Sequence, residues 1–226
     1  MNAMTRLKTL VVAPHPDDEL LGCGGTLLRR KAEGAELCWL IVTAMCEDLG
    51  WPVDRVRERE AEIERVAKGI GFDHVYNLRL APAQLDAVPL VQVVGEFSNV
   101  FAAFAPTEVF VPHRGDVHSD HRVVFNAATA CCKWFRYPSV RRVLAYETLS
   151  ETDFCLSREE AFVPNFFVDI SDYVERKVEL LSIYHSELSS PPFPRSIETV
   201  RAQARLRGAA AGCLAAEAFE LLRERT

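Results

Sequence analysis

Two short segments of the sequence concentrate side chains that can bind metal ions. The first places His15, Asp17, Asp18 and Glu19 within five positions, between an apolar run and a cluster of glycines. Like charges this close repel one another, and each buried carboxylate costs several kcal/mol unless a cation lies among them. The segment is therefore either a solvated turn or part of a metal site.

The second segment, residues 113–121, contains three histidines and two aspartates. Within it, His118 and His121 are three residues apart, a spacing that places both imidazoles on one face at the start of a helix. His15 and Asp18 supply one imidazole and one carboxylate, and His121 would complete a set of three ligands. Three protein ligands and an open water position are the pattern of a catalytic zinc site. A single histidine of this kind would more often be a hydrogen-bonded surface residue.

The glycines after the first segment suggest a different ligand. A strand, then Gly22-Cys23-Gly24-Gly25, then a helix resembles the dinucleotide-binding fingerprint. That fingerprint requires a third glycine at position 27, which is Leu27 here, and the acidic residues would repel a pyrophosphate. The simpler interpretation is that these glycines allow a helix and a strand to approach closely.

The elements predicted around both segments alternate between strands and helices. Hydrophobic periodicity predicts strands at 7–13, 36–44, 75–78, 108–111 and 142–146, and helices at 26–31, 54–70, 90–104, 119–135, 171–187 and 196–223. This order predicts an α/β fold with a mostly parallel sheet and helices on both faces. Both candidate segments directly follow predicted strands, so we expect them on one rim, where such sheets bind ligands.

Composition narrows the class of protein. The chain has 226 residues and a net charge of −6, which disfavours nucleic acid and anionic membranes as partners. No apolar run is long enough to span a bilayer, and residues 1–5 do not resemble the start of a signal peptide. Seven cysteines without a CxxC pair indicate reduced thiols. We therefore expect a cytoplasmic protein.

The motifs Pro14-His15-Pro16-Asp17-Asp18-Glu19 and His118-Ser119-Asp120-His121 together resemble the LmbE-like, or PIG-L, family of deacetylases. Residues 59–71, 177–188 and 216–219 also resemble family segments. The resemblance implies one domain over residues 1–226 with a Rossmann-like, three-layer α/β/α fold. It also implies zinc-dependent removal of an N-acyl group, usually acetyl, from an amino sugar or its conjugate. Fe²⁺ is an alternative occupant of the metal site.

The same resemblance gives the site residues roles. His15, Asp18 and His121 are expected to bind the metal, and Asp17 matches the general base of the family. His118 would stabilise the oxyanion as a cation, with Asp120 orienting its ring and raising its pKa. Asp120 is equally well explained as an N-terminal helix cap. Which of Asp17 and His118 protonates the leaving amine stays open.

Four charged residues are candidates for substrate binding. Arg59 matches an arginine that contacts sugar hydroxyls in relatives, although it also fits a solvated helix face. Asp116 precedes the His118–His121 motif, and Glu147 ends a predicted strand at the same rim, so both are expected to line the pocket. Arg195, in a proline-rich loop, could meet a phosphate or carboxylate, but a helix entry with Ser196 as N-cap explains the same segment.

One departure from the family pattern concerns sugar recognition. Related sequences carry an aspartate after the third strand where this chain has Pro82, with Asp86 four residues on. Two other functions also fit a His-carboxylate-His set: a non-haem iron oxygenase, which the alternating elements disfavour, and a metal- or sugar-binding module without catalysis, which would not need Asp17 and His118. The sequence leaves the identity of the sugar and the oligomeric state open.

Overall fold

The computed structural model describes residues 6–226; residues 1–5, where no signal peptide is expected, lie outside this range. No helix within it is both long and apolar enough to cross a membrane. The strands and helices, in chain order, are β1 (Lys8–Ala13), α1 (Asp18–Ala32), β2 (Glu36–Thr43), α2 (Val53–Ile70), β3 (His74–Leu80), α3 (Leu90–Phe104), β4 (Glu108–Pro112), α4 (Ser119–Ala130), β5 (Arg142–Tyr146), β6 (Phe166–Asp169), α5 (Val174–Leu181), α6 (Ile197–Ala211) and β7 (Ala216–Glu224).

The strands form one sheet in the order β3-β2-β1-β4-β5-β7-β6. The first five strands in this order are parallel, and β7 pairs antiparallel with both β5 and β6. β1 lies between β2 and β4, with Val11 opposite Trp39 on one side and Phe110 on the other. The mostly parallel sheet that the sequence predicts is therefore confirmed.

Apolar side chains of the central strands alternate between two buried cores. Val11 and Ala13 of β1 pack into one core with residues of α1, α2, α5 and α6. Leu10 and Val12 pack into the other with residues of α3 and α4. Strands covered on both faces are apolar at nearly every position, which explains the continuous apolar runs in the sequence. The protein thus has the predicted three layers, with helices on both faces of the sheet.

The glycines in α1 allow the helix to lie against the sheet. A Cβ added at Gly22 would lie 2.2 Å from the ring of Tyr146 on β5, and one at Gly25 would lie 2.8 Å from Ile170. Because real Cβ atoms do not approach this closely, a larger residue would push the helix away. This contact supports the packing explanation of the glycines over the dinucleotide one.

The end of the chain differs from its prediction. The predicted helix over 196–223 ends at Ala211, and residues 216–224 form β7. The predicted helix over 171–187 forms only at 174–181 after a short strand, β6, and that over 119–135 ends at Ala130. The residues of β7 include several good helix formers, but pairing with both β5 and β6 outweighs that local preference. Conversely, α1 begins at Asp18, eight residues before the predicted start at Thr26.

Candidate active site

The first motif forms a tight bend between β1 and α1. The backbone N–H of His15 donates to Asp18 Oδ2 over 2.8 Å, which closes the bend on the carboxylate. Asp17 has a φ of 140°, a conformation that side chains other than glycine rarely adopt. Its backbone N–H donates to Glu19 Oε2 over 3.0 Å. Asp17, Asp18 and Glu19 are all buried, so the bend is not a solvated turn.

The second motif begins α4 next to this bend, since β4 pairs with β1. His118 is the N-cap, and its Nδ1 accepts a hydrogen bond from the backbone N–H of Asp120 over 3.1 Å. His121 lies in the first turn of the helix and is buried. The helix cap that the sequence suggested for Asp120 is therefore His118.

The side chains of His15, Asp18 and His121 converge between the two motifs. His15 Nδ1 and His121 Nε2 each lie 3.4 Å from Asp18 Oδ2. His121 Nε2 is buried and has no hydrogen-bond partner within residues 6–226. A buried polar atom without a partner is costly, and a metal ion would supply one. Two imidazoles and a carboxylate at these distances fit a divalent metal such as zinc.

Carboxylates orient both imidazoles of this set. Asp120 Oδ2 lies 3.1 Å from His15 Nε2, and Asp116 Oδ2 lies 2.8 Å from His121 Nδ1. Hydrogen bonds of this kind fix the tautomer and ring orientation of metal-binding histidines. Each imidazole therefore presents its other nitrogen towards Asp18.

These contacts correct two sequence predictions. Asp120 was expected to orient His118, but its carboxylate contacts His15 and also accepts the backbone N–H groups of Ala83 and Leu85, over 2.7 Å and 3.1 Å. Asp116 was expected to bind substrate, but it is fully buried behind His121 and also accepts the Thr152 hydroxyl over 2.6 Å. Both aspartates position imidazoles of the candidate metal-binding set.

The charges of the set stabilise one another. Burial by itself lowers the pKa of His15, but hydrogen bonds to Asp120 and Asp18 raise it to about 9. His121 is buried too, yet Asp18 and Asp116 raise its pKa to about 10. Although burial opposes its charge, the imidazoles hold the pKa of Asp18 well below its ordinary range. A metal ion bound by these two imidazoles would therefore have to displace the protons that the raised pKa values favour.

Asp17 has a different environment from its neighbour Asp18. Burial and the charge of Asp18 raise the pKa of Asp17 to about 7, although Arg195 opposes the shift. Arg195 Nη1 donates to Asp17 Oδ2 over 2.8 Å. A carboxylate that titrates near neutral pH can both accept and return a proton in that range, which is the property of a general acid–base group.

His118 differs from the cation that the sequence suggested. Burial and the nearby His15 and His121 lower its pKa below the ordinary value. Because Nδ1 accepts the N–H of Asp120, the proton of the neutral ring lies on Nε2. His118 therefore presents a neutral N–H donor, and the expected rise in its pKa is wrong.

A cleft of about 260 Å³ opens over these residues. The polar residues that line it are His15, Asp17, Thr43, Arg59, His118, Glu187 and Arg195, and the apolar ones are Pro16, Ala44, Met45, Trp51, Pro82 and Ala83. Arg59 donates to the carbonyl of Pro16 over 3.1 Å and pairs with Glu187. The arginines are thus fixed by bonds to the protein while they line the cleft.

The sequence of residues 10–132 matches the PIG-L family, described as GlcNAc-PI de-N-acetylase. The chain belongs to this family. It is 25% identical over 154 residues to the uncharacterized deacetylase YaiS of Escherichia coli (strain K12), with 66% of this chain and 78% of the relative covered. It is 24% identical over 196 residues to the diacetylchitobiose deacetylase of Thermococcus kodakarensis, with coverages of 80% and 70%. These relatives agree with the predicted reaction class.

Solved structures show the same fold. The conserved protein TT1542 from Thermus thermophilus aligns with a TM-score of 0.78 and 29% identity, covering 97% of this chain and 96% of that one. The N,N'-diacetylchitobiose deacetylase of Pyrococcus horikoshii aligns with the same TM-score of 0.78 at 22% identity, covering 97% and 85%. The family and the α/β fold expected from the motifs are both confirmed.

Within this PIG-L chain, the four candidate substrate-binding residues separate into two groups. Arg59 and Arg195 line the cleft, whereas Asp116 does not. Glu147 is also wrong as a cleft residue, because it does not line the cleft and instead forms a two-pronged ion pair with Arg207, at 2.8 Å and 2.6 Å. Glu147 was expected at the rim because it follows the predicted strand 142–146, but its side chain pairs with Arg207 of α6.

Other cleft residues were not predicted. Glu187 belongs to a segment that resembled the family, but its pairing with Arg59 could not be read from sequence. Trp51 follows β2 in a loop without a motif, and it leaves 38% of its surface exposed at the cleft. Pro82 and Ala83 occupy the wall where relatives carry an aspartate, and Asp86 is exposed and does not line the cleft.

Proposed function

We propose that this protein is a zinc-dependent N-deacetylase that hydrolyses the N-acetyl group of an amino sugar or its conjugate. The observation that carries the proposal is the convergence of His15 with the buried Asp18 and His121, beside Asp17, where His15 and Asp17 line a cleft. A binding module would need the metal ligands but not a carboxylate with a near-neutral pKa beside them. The names of the relatives give the reaction class.

An amide is a poor electrophile, and its amine is a poor leaving group. Held by His15, Asp18 and His121, a divalent ion would polarise the acetyl carbonyl and lower the pKa of a water molecule. Asp17 would take the proton of the attacking water, because its carboxylate faces the cleft and titrates near pH 7. The same carboxyl can then give that proton to the departing nitrogen, so one residue serves both steps.

His118 would stabilise the negative oxygen of the tetrahedral intermediate. Its Nε2–H lies on the cleft side of the ring, since Nδ1 is occupied by the N–H of Asp120. A neutral donor fixed by a helix N-terminus needs no reorganisation as charge develops, which is the condition for efficient oxyanion stabilisation. This assignment leaves the amine proton to Asp17 rather than to His118.

The cleft favours a small polar ligand with one apolar face. Arg59, Arg195 and Glu187 offer donors and acceptors for hydroxyl groups, and Trp51, which also lines the cleft, offers an aromatic surface for a sugar ring. The volume of about 260 Å³ matches a small ligand rather than a polymer, although the cleft is open at its mouth. We therefore infer that one acetylated sugar residue binds inside and any conjugate extends outwards.

An amine-release assay tests this function. The metal-reconstituted protein would be incubated with N-acetylglucosamine, N,N'-diacetylchitobiose and nucleotide-linked N-acetyl sugars, and free amine and acetate would be measured together. We expect equal amounts of both products, without a requirement for oxygen or a 2-oxoacid. Absence of both products from every substrate would favour the silent binding module, and a requirement for oxygen would favour the iron oxygenase. Reconstitution with Zn²⁺ and Fe²⁺ in parallel tests the metal.

A further inference from the structure

A second group of metal-ligand side chains lies outside the cleft, where α2 meets the segment after α5. Glu58 and Glu62 are four residues apart on one face of α2, and His185 begins the short 3₁₀ helix His185–Glu187. His185 Nδ1 lies 3.4 Å from Glu62 Oε1, and His185 Nε2 lies 3.6 Å from Glu58 Oε1. One ligand atom from each residue falls within 4.8 Å of the others.

The carboxylate of Glu62 has an unsatisfied oxygen in this group. Its side chain is 2% exposed, and Oε1 is buried without a hydrogen-bond partner anywhere in residues 6–226. Its other oxygen lies 3.1 Å from Nε of Arg59. A buried carboxylate oxygen without a donor is destabilising, so an atom that binds it is expected.

The neighbouring arginines pair with only one oxygen of each carboxylate. Arg55 pairs with Oε2 of Glu58, and Arg59 pairs with Oε2 of Glu62, so each carboxylate has one oxygen held by a guanidinium and one facing His185. The His185 side chain is 64% exposed and that of Glu58 39%, so water can complete a coordination shell from the solvent side. An imidazole with two carboxylates is a donor set that suits Zn²⁺ and Mn²⁺.

We propose that Glu58, Glu62 and His185 form a second binding site for a divalent transition-metal ion. None of the three lines the cleft or belongs to the His15–Asp18–His121 set, so the site is separate from the proposed catalytic metal site. The competing explanation is a protonated His185 held between two carboxylates, which needs no metal. The two differ in metal stoichiometry.

A metal at this site would fix one wall of the cleft. His185 directly precedes Ser186 and Glu187, and the side chains of both contact Nη2 of Arg59. Tying His185 to α2 would therefore restrict the motion of the residues that hold Arg59. We expect slower amide hydrogen exchange over residues 183–188 when the second site is filled.

Equilibrium dialysis against Zn²⁺ with elemental analysis tests the proposal in the full chain. We expect two equivalents in the wild type, and one each in His185→Ala, in Glu58→Gln and in the His15→Ala/His121→Ala double variant. His74→Ala is the matched control, because His74 also faces a glutamate on the surface, Glu36 at 3.0 Å, but belongs to no three-ligand group of the described chain. This control should retain two equivalents.

Paramagnetic NMR gives a second measurement that does not depend on the catalytic metal. In the double variant, Mn²⁺ should broaden the ring signals of His185 and leave those of His74 sharp. Equal metal content in the wild type and His185→Ala, or no selective broadening, would overturn the proposal. If the wild type bound one equivalent and His185→Ala none, the second site would stand while the proposed catalytic metal would fail. Circular dichroism of each variant would exclude unfolding as the cause of a lost equivalent.

Discussion

Replacement of Asp120 by alanine tests the role that the structure gives this residue. Its carboxylate is fully buried and accepts three N–H groups, from the imidazole of His15 and from the backbones of Ala83 and Leu85. In Asp120→Ala the ring of His15 loses the acceptor that fixes its tautomer. Loss of such a partner costs about 10–100-fold in metal affinity, or about 1.4–2.8 kcal/mol of binding free energy.

The asparagine variant refines the prediction. In Asp120→Asn the amide oxygen can accept the hydrogen bonds from His15 and from the backbone N–H of Ala83. The amide NH₂ group then faces the backbone N–H of Leu85, which is also a donor and loses its acceptor. We therefore expect a smaller loss of metal affinity than in the alanine variant, with a loss of stability of about 1–3 kcal/mol from the unpaired backbone donor. Urea unfolding of the metal-free proteins measures the second quantity separately.

The assay is competition for Zn²⁺ with a chelator of known affinity, followed across the variants at constant pH. His118→Ala is the control, because His118 hydrogen-bonds the backbone N–H of Asp120 and not its carboxylate. It should retain wild-type metal affinity while turnover falls. If Asp120→Ala kept its metal affinity within about twofold of the wild type while losing turnover, the residue would act on His118 instead, and our assignment would be refuted.

Three further predictions concern the base, its partner and the core. Asp17→Asn should retain the metal but lower turnover by about 10²–10⁴, and near-normal turnover would show that another group is the base. Arg195→Ala removes a cation 2.8 Å from Asp17, so the pKa of the Asp17 carboxyl should rise. The acidic limb of the pH profile of kcat/KM should then move to higher pH. If that limb did not move, it would report the titration of a group other than Asp17. Gly22→Ala places a Cβ 2.2 Å from Tyr146 and should lower the free energy of unfolding in urea by about 1–3 kcal/mol, whereas Gly95→Ala, with open space around it, should not destabilise.

Local sequence was sufficient where neighbouring residues determine the structure. The strands that follow from apolar runs, such as β1 and β2, form at their predicted positions, because burial on both faces requires that pattern. The convergence of His15, Asp18 and His121, the proposed ligand set, could likewise be expected, since each motif follows a parallel strand and such strands end at one rim. In both cases a local pattern and the global fold agree.

Sequence was insufficient where a side chain has a partner distant in the chain. Asp120 pairs with a ring 105 residues away, and Arg195 pairs with Asp17 across 178 residues. Nothing in the HxDH motif distinguishes an aspartate that orients His118 from one that orients His15. The prediction of a helix at the C-terminal strand β7 was wrong for a related reason, because the pairing of β7 with β5 and β6 outweighs the helix preference of its own residues.

The sheet order explains why the two motifs meet. The chain runs outwards from β1 through β2 to β3 and then returns to the other side of β1 with β4. The order of strands reverses between β1 and β4, and the carboxyl ends of the strands at such a point leave a crevice where ligands bind. His15 and Asp18 follow β1 and His121 follows β4, so only the pairing of these two strands completes the ligand set.

The crowding of three carboxylates after β1 is relieved in a different way for each of them. Asp18 keeps its charge because its Oδ2 lies 3.4 Å from the imidazoles of both His15 and His121, one from each motif. Asp17 contacts Arg195 and has a pKa of about 7, so it can exchange a proton. Burial raises the pKa of Glu19 well above its ordinary range, and its carboxyl group accepts the N–H of Asp17. The three adjacent acids therefore have different environments, and these fit the proposed roles of metal ligand and general base for Asp18 and Asp17 and a structural role for Glu19.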